Sequence, residues 1–237
     1  MAITESTSLL ISWSKTVPPS MAAACFLIYQ LGLVIKVWQA RHAANPETAL
    51  VPTHTEPGAK GRWLQAAKGW ERRFWIYALL TRKPDAKSFA GSNHFGTGEQ
   101  GGNASCWRGW AFINLIPLPI IHLILHHQHP AVADITTMAS LAGSLWLWAE
   151  YRAASIRPVS VDDKYLYLRY GLLTDRRIDR AQILDVKPAG FRDGHGHIRR
   201  YAGLGAPNVL ITLLDGEVMA VGVDHPQRLI VELQAGS

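Results

Sequence analysis

The sequence lacks charge over one long stretch. Charged residues make up 18% of the 237 residues, whereas about a quarter is usual in soluble proteins. Residues 109–150 contain no lysine or arginine and only two acids, Asp134 and Glu150. Nearly all of the 24 basic residues lie in the two blocks that flank this stretch. The distribution excludes a disordered chain and predicts an integral membrane protein with cytosolic parts.

Cysteines are few, and catalytic motifs are absent. Cys25 and Cys106 are too few for a disulfide framework or a four-thiolate zinc site. No nucleophile elbow, P-loop or dinucleotide-binding fingerprint occurs. The Gly-rich residues 91–104 lack a strand-turn-helix context, so a flexible connector is expected there. These absences predict a protein that is not an enzyme and needs no cofactor.

The basic excess does not indicate nucleic-acid binding. Residues 151–237 hold twelve basic and ten acidic residues, which nearly cancel. The net charge of +6 comes mainly from residues 39–108, with ten basic and five acidic residues. We therefore expect residues 39–108 to form a basic cytoplasmic loop beside the membrane, and no nucleic acid as a partner.

Three apolar segments predict transmembrane helices. The first, Met21–Trp38, has the minimum length needed to span a bilayer. The second, Gly109–His127, contains two prolines, and the third, Ala131–Glu150, has a face of small residues suited to close helix contact. The short stretch His127–Pro130 connects the second segment to the third, which predicts an antiparallel hairpin. A cleaved signal peptide is the alternative for the first segment, but its positive charges follow the apolar run instead of preceding it.

The basic residues also predict the orientation, because cytoplasmic loops are rich in lysine and arginine. The loop at 39–108 and the segment after the third helix are then cytoplasmic, and residues 1–20 form a short outer segment. The predicted location is the bacterial inner (cytoplasmic) membrane. The protein would be multi-pass, with the N-terminus outside and the C-terminal domain cytoplasmic.

Residues 63–80 are predicted to form an amphipathic helix with an aromatic stripe. Trp63, Trp70 and Phe74 recur at helical spacing, and Arg72 and Arg73 lie off that stripe. The pattern is typical of a helix on an anionic lipid surface. The same stripe can instead pack on the protein's own domain or on a partner. These five residues, with Arg199 and Arg200 of a later Gly-rich insert, are the predicted lipid or partner contacts.

After residue 155 the pattern changes to the alternation typical of strands. Asp215-Gly216 is a strong turn signal between apolar runs at 208–214 and 217–223. Asp224 is placed to cap a terminal helix whose apolar face contains Leu229, Ile230 and Leu233. Residues 155–235 therefore predict a small antiparallel sheet closed by one helix.

The run VSVDDKYLYLRYGLL, followed by RRIDRAQILDVKP, resembles the bacterial PH-like domain family, in particular its membrane-anchored members. The resemblance covers residues 140–235 and rests on Leu166, Arg169, Tyr170, Gly171, Arg176, Arg177, Ile178, Ile183, Val186 and Pro188. It implies a PH-like fold and an assembly module, often homo-oligomeric. None of its motifs is a catalytic signature, and no ligand-binding motif transfers that would imply phosphoinositide binding. The insert Ala189–Pro207 and a count of about six strands depart from the family pattern.

Histidines at the end of the second apolar segment are the sharpest chemical feature. The run consists of His122, His126, His127 and His129, and the first two lie one helical turn apart. Two imidazoles on one helix face can share a metal ion. The alternative is that they are polar anchors at the membrane interface.

Together these features predict an α+β membrane protein. It would have three transmembrane helices, at 21–38 and in the hairpin at 109–150, and a small C-terminal antiparallel β (PH-like) domain. The expected role is a scaffold, regulatory or accessory subunit. Its partners would be membrane lipid and a membrane protein or a second copy of itself. The alternative function is a membrane metal-binding protein or metalloenzyme that uses the His122–His129 cluster.

Overall fold

The computed structural model describes residues 19–51, 62–79, 83–99, 104–190 and 198–235. Its helices are α1 (Pro19–Gln39), α2 (Pro46–Leu50), α3 (Arg62–Leu79), α4 (Ala104–Leu115), α5 (Leu118–Gln128), α6 (Pro130–Ile156) and α7 (Pro226–Gln234). Its strands are β1 (Asn93–Phe95), β2 (Val159–Val161), β3 (Tyr165–Tyr170), β4 (Thr174–Asp179), β5 (Ile183–Pro188), β6 (Arg199–Tyr201), β7 (Val209–Leu213) and β8 (Val218–Val221). The predicted outer segment at 1–20 lies almost entirely outside the described residues.

Helix α6 is the centre of the helical layer. Helices α4 and α5 pack along it as the second arm of a hairpin, α3 packs on it as well, and α1 packs on α3. Small residues allow this close approach, since Ala133, Ala149 and Ala153 of α6 are fully buried. Pro117 separates α4 from α5, yet the two helices form one apolar segment, Ala104–Gln128.

The prediction of three transmembrane helices is wrong. Among the described residues, only Ala104–Gln128, which contains the predicted second span, is long and apolar enough to cross a membrane. The predicted first and third spans fall in α1 and α6, which do not pass that test. Helix α6 mixes apolar residues with serine, threonine and Asp134, and α1 packs polar side chains against α3. The outside position of the N-terminus depended on three spans and loses that support.

The single small antiparallel sheet is also corrected. The strands form two four-stranded sheets, in the orders β1-β2-β3-β4 and β5-β7-β8-β6. The first is antiparallel, whereas in the second β6 runs parallel to β8. Strand β1 comes from residues 91–104, where a flexible connector was expected, and Phe95 pairs with Val159. Because Phe95 is 3% exposed in the core between the sheets, burial stabilises a strand that local propensity does not indicate.

The core between the sheets is closed by α7. The helix buries Leu229, Ile230 and Leu233 against the strands, which are the three residues of its predicted apolar face. A second cluster joins the sheets to the helices; its buried members are Val37, Val51, Ile76, Tyr77, Ala149, Ala153 and Leu172. Leu172 lies in the turn between β3 and β4, so this turn connects the two layers.

The turn between β3 and β4 fits against α6 through a glycine. Gly171 has a φ of 52°, a conformation that L side chains rarely adopt. A Cβ there would also collide with the carboxylate of Glu150. That carboxylate accepts a hydrogen bond of 3.0 Å from the backbone N–H of Leu172. The end of α6 is therefore tied directly to the first sheet.

Candidate functional site

The candidate span presents a wide apolar surface. Only 11% of its most apolar window is buried, and Ile116 and Leu123 are 73% and 71% exposed. Helix α6, which packs along the span, adds further exposed residues, among them Ile135 and Met138. Soluble monomers rarely expose one contiguous apolar patch above a few hundred Å². The surface is suited to hydrocarbon contact.

Aromatic and basic side chains lie together at the base of the hairpin. The guanidinium of Arg108 lies 5.5 Å from the ring centroid of Tyr151, and that of Arg152 lies 5.8 Å from the ring of Trp148. Such residues concentrate where a protein leaves the hydrocarbon core. From Arg108 to the hairpin tip at Gln128 a helix rises about 30 Å, which matches the hydrocarbon thickness of a bilayer.

A polar contact connects the two arms of the hairpin near its middle. The amide Nδ2 of Asn114 donates to the carbonyl oxygen of Ser140 at 2.9 Å and to Oγ of Ser144 at 2.8 Å. Ser144 is 5% exposed. Small residues let the backbones approach closely, and hydrogen bonds between helices then add stability in an apolar surrounding.

Two of the four predicted metal-ligating histidines come together at the hairpin tip. The rings of His122 and His126 stack with their centroids 5.3 Å apart. Asp134 joins them from α6, and one ligand atom of each residue lies within 4.8 Å of the other two. Nδ1 of His122 also lies 2.7 Å from Oγ1 of Thr137. His127 and His129 are exposed and do not belong to this group.

Sequence reasoning missed Asp134 as a member of this group. The residue stood out only as an acid in an apolar segment, and its distance along the chain from His122 hides the contact. The tight turn at His129 and Pro130 was the available signal, because an antiparallel hairpin places the end of α5 beside the start of α6. Aligning the polar residues of the two antiparallel arms outward from this turn would have placed Asp134 beside His122.

The aromatic stripe of α3 packs on this protein's own helices. The rings of Trp70 and Phe74 lie 5.2 and 6.5 Å from the ring of Trp146 in α6, measured between centroids. Phe74 also meets Trp75 edge to face at 5.0 Å. The side chain of Trp63 lies outside the described residues. The described part of the stripe therefore contacts protein, which was the alternative to a lipid surface.

The two arginines beside the stripe are also occupied within the protein. Arg72 donates to the carbonyl oxygen of Leu50 at 2.9 Å. Arg73 is buried, with its Nε 2.9 Å from Oε1 of Glu47 and a further ion pair to Asp175. Both arginines therefore contact protein: Arg73 is buried, and Arg72 is half-buried against α2.

Glu47 lies at the centre of a buried polar network that connects the helices to the sheets. Arg157, at the end of α6, places Nη2 3.0 Å from Oε1 of Glu47 and Nε 3.1 Å from Oε2. Tyr77 donates to Oε2 at 2.6 Å. Arg157 also donates to the carbonyl oxygens of Gly171 at 2.5 Å and Thr174 at 2.8 Å, on either side of the turn before β4.

The network keeps Glu47 ionised. Burial alone would raise the pKa of Glu47, but the charges of Arg157 and Arg73 and the hydrogen bond from Tyr77 outweigh burial and lower its pKa. Burial and the carboxylate of Glu47 raise the pKa of Tyr77 well above its ordinary value, so the phenol stays protonated and donates. These buried ion pairs and hydrogen bonds between the helices and the sheets indicate a structural joint.

Arg199 and Arg200 lie on β6, the outer strand of the second sheet. Both are exposed, and the side chain of Arg199 is 69% exposed while its Nε lies 3.3 Å from Glu217. Arg200 donates to the carbonyl oxygen of Gly205 at 3.1 Å. They are the predicted contact residues that present positive charge on an open sheet edge.

Comparison of the chain with protein-family models, curated proteins and solved structures finds no match. The resemblance of residues 140–235 to PH-like domains therefore stays a prediction.

Proposed function

We propose that this chain is a non-enzymatic, membrane-anchored adaptor. The segment Ala104–Gln128 enters the bilayer, and α6, whose composition alone does not indicate a span, packs along it. The two-sheet domain then lies at the cytoplasmic face of a bacterial inner membrane. The observation that supports this most strongly is the exposure of the candidate span. Only 11% of the most apolar part of Ala104–Gln128 is buried within the protein.

The orientation follows from the base of the hairpin. Arg108 and Arg152 lie at the two ends of the hairpin that connect to the rest of the protein. Basic residues at helix ends favour the cytoplasmic side and attract anionic headgroups. The tip, with its histidines and Asp134, then faces the opposite side of the membrane.

The adaptor role is supported by the way the sheets are held. The Glu47 network and the Gly171 turn fasten the sheet domain to the hairpin, so the domain keeps a defined position above the bilayer. Strand β6, which carries Arg199 and Arg200, is the last strand in the order of the second sheet. An edge strand of this kind can pair with an extended segment of another protein or of a second copy.

Membrane anchoring is tested by placing charge on the candidate span. Ile116→Asp combined with Leu123→Asp puts two acids into the proposed hydrocarbon region, each costing roughly 2.5–3.5 kcal/mol of insertion free energy near the bilayer centre. We expect this double variant to leave the membrane pellet after alkaline extraction, whereas the wild-type chain stays in it.

The matched control changes two leucines of the sheet domain. Leu184 and Leu214 are each 63% exposed, so Leu184→Asp with Leu214→Asp makes a comparable change at sites outside the proposed membrane region. This control should remain in the pellet. Equal extraction of both variants, or retention of both, would contradict insertion of Ala104–Gln128.

A further inference from the structure

Three side chains with metal-ligating atoms converge where α5 meets α6. One ligand atom each of His122, His126 and Asp134 lies within 4.8 Å of the others. A metal ion with bonds of about 2.0–2.2 Å holds its ligands about 3 to 3.5 Å apart. His126 and Asp134 are exposed at the tip, so rotation of their side chains can close the remaining distance.

Thr137 fixes the orientation of one imidazole. Oγ1 of Thr137 lies 2.7 Å from Nδ1 of His122. When Nδ1 carries the proton and donates to this hydroxyl, Nε2 keeps its lone pair for a metal ion. Ligating histidines usually donate their other N–H in this way, which sets the tautomer and the ring direction.

The donor set selects the class of ion. Two imidazoles and one carboxylate suit zinc and related divalent transition metals, whereas Mg²⁺ and Ca²⁺ prefer sites made of oxygen ligands. His122 and His126 come from successive turns of α5, and Asp134 comes from the first turns of α6. An ion bound by all three would therefore cross-link the two arms of the hairpin.

We propose that His122, His126 and Asp134 bind one divalent transition-metal ion at the hairpin tip, with Thr137 positioning His122. Three protein ligands leave a further coordination position for water or an added ligand. The bound ion offsets the charge of Asp134 and holds the end of α5 to the start of α6. The site depends on distances within the hairpin, so it stands or fails independently of the adaptor function.

Zinc titration of the full chain tests the site. The protein is purified in detergent without a histidine tag, stripped with a chelator and titrated with ZnCl₂ in a calorimeter. We expect one zinc ion per chain. Loss of a group that only supports a metal ligand weakens metal affinity by roughly 10- to 100-fold. Asp134→Asn and His126→Ala remove ligands themselves, so each should weaken zinc binding by more than that. Thr137→Val removes a supporting group and should weaken zinc binding by about tenfold.

Two further variants keep the outcome interpretable. Asp134→His supplies a nitrogen ligand at the same position and should retain zinc, which separates loss of a ligand from loss of folding. His127→Ala with His129→Ala removes the two neighbouring histidines outside the group and should leave the affinity unchanged. Near-ultraviolet circular dichroism verifies that each variant is folded.

The proposal is overturned if the wild-type chain shows no saturable zinc binding. It is equally overturned if the double variant at His127 and His129 loses zinc while Asp134→Asn retains it. That pattern would assign binding to the exposed histidine run and not to the group across the hairpin.

Discussion

Glu47 shows how one residue can join distant parts of the chain. Its side chain is 8% exposed and meets Arg73 of α3, Tyr77 of α3 and Arg157 of α6. Two buried guanidinium groups need a negative charge close by, because removing the partner of a buried charge leaves a large desolvation cost uncompensated. The carboxylate is therefore a requirement of the joint between the helices and the sheets.

Glu47→Gln is expected to destabilise the protein strongly. Glutamine keeps the length of the side chain and can accept a hydrogen bond from Tyr77. It removes the nearer of the two carboxylates that, among the described residues, face the fully buried Arg157 and leaves only Asp175, at 3.6 Å. The loss should be about 3 to 5 kcal/mol in the free energy of unfolding. Denaturant titration in detergent, followed by tryptophan fluorescence, measures this loss.

The control for this change is Glu217→Gln. Glu217 forms a two-point contact with Arg176 at 2.7 Å, but the two side chains are 23% and 31% exposed. A pair in contact with solvent contributes about 1 kcal/mol or less, so the loss should be much smaller. Similar losses in both variants would refute the role given to Glu47.

The difference in stability between the wild-type protein and Glu47→Gln should depend on pH. The pKa of Glu47 is lowered in the folded state, so its stabilising effect is complete above the unfolded pKa and is lost as pH falls through the folded pKa. The stability gap between wild type and Glu47→Gln should therefore be full at pH 7 and narrow below about pH 4. A gap that stays constant down to acid pH would contradict an ionised Glu47.

At the scale of elements, α6 serves two different surroundings. Its first half packs along α5 under an apolar surface, and α4 packs along its middle and second half. The second half also packs on α3 and reaches the sheets. The contact of Asn114 with Ser140 and Ser144 lies between these two parts. One continuous helix therefore connects the hairpin to the sheet domain and fixes their relative position.

Ser144→Ala tests whether this contact stabilises the hairpin. The change removes the hydroxyl that accepts from Asn114 at 2.8 Å, and the expected loss is about 0.6 to 1.7 kcal/mol, as for other hydrogen bonds between membrane helices. Ser140→Ala is the control, since Ser140 accepts from Asn114 through its backbone carbonyl. Unfolding in mixed detergent and SDS micelles measures both; equal effects would exclude the hydroxyl contact.

At the scale of the whole molecule, the adaptor proposal depends on the edge of the second sheet that carries Arg199 and Arg200. Strand β6 pairs with β8 on one side, through Arg199 with Met219 and Arg200 with Ala220. Its other side is the end of the sheet order. Backbone pairing along this edge, with acidic side chains opposite the arginines, is the interaction that the adaptor proposal requires.

Charge reversal at this edge should release the partner without releasing the protein from the membrane. We expect Arg199→Glu with Arg200→Glu to lose the membrane protein, or the differently tagged second copy, that the wild-type chain retains during isolation in mild detergent. Arg228→Glu, an exposed reversal on α7, serves as the control and should retain it. Retention of the same partner by both variants would contradict a role for β6.

Parts of this architecture follow from the order of residues alone. The apolar run that forms Ala104–Gln128, the alternation in β3, the short apolar run of β7 and the apolar face of α7 are all local patterns in the sequence. A helix or strand that buries one face needs apolar residues at its own repeat, whatever its position in the fold. The apolar stretches in α1 and α6 predicted two further spans, but among the described residues only Ala104–Gln128 is long and apolar enough to cross a membrane.

The remaining features were decided by tertiary structure. Glu47 comes from a stretch that resembles a linker, yet it meets Arg157 across 110 positions of sequence. Strand β1 exists because β2 offers it an edge, and Asp134 joins His122 and His126 because a tight turn folds α6 back along α5. Each contact depends on how helices and sheets pack against one another, and contacts of this range leave no periodic signal in the residues that form them.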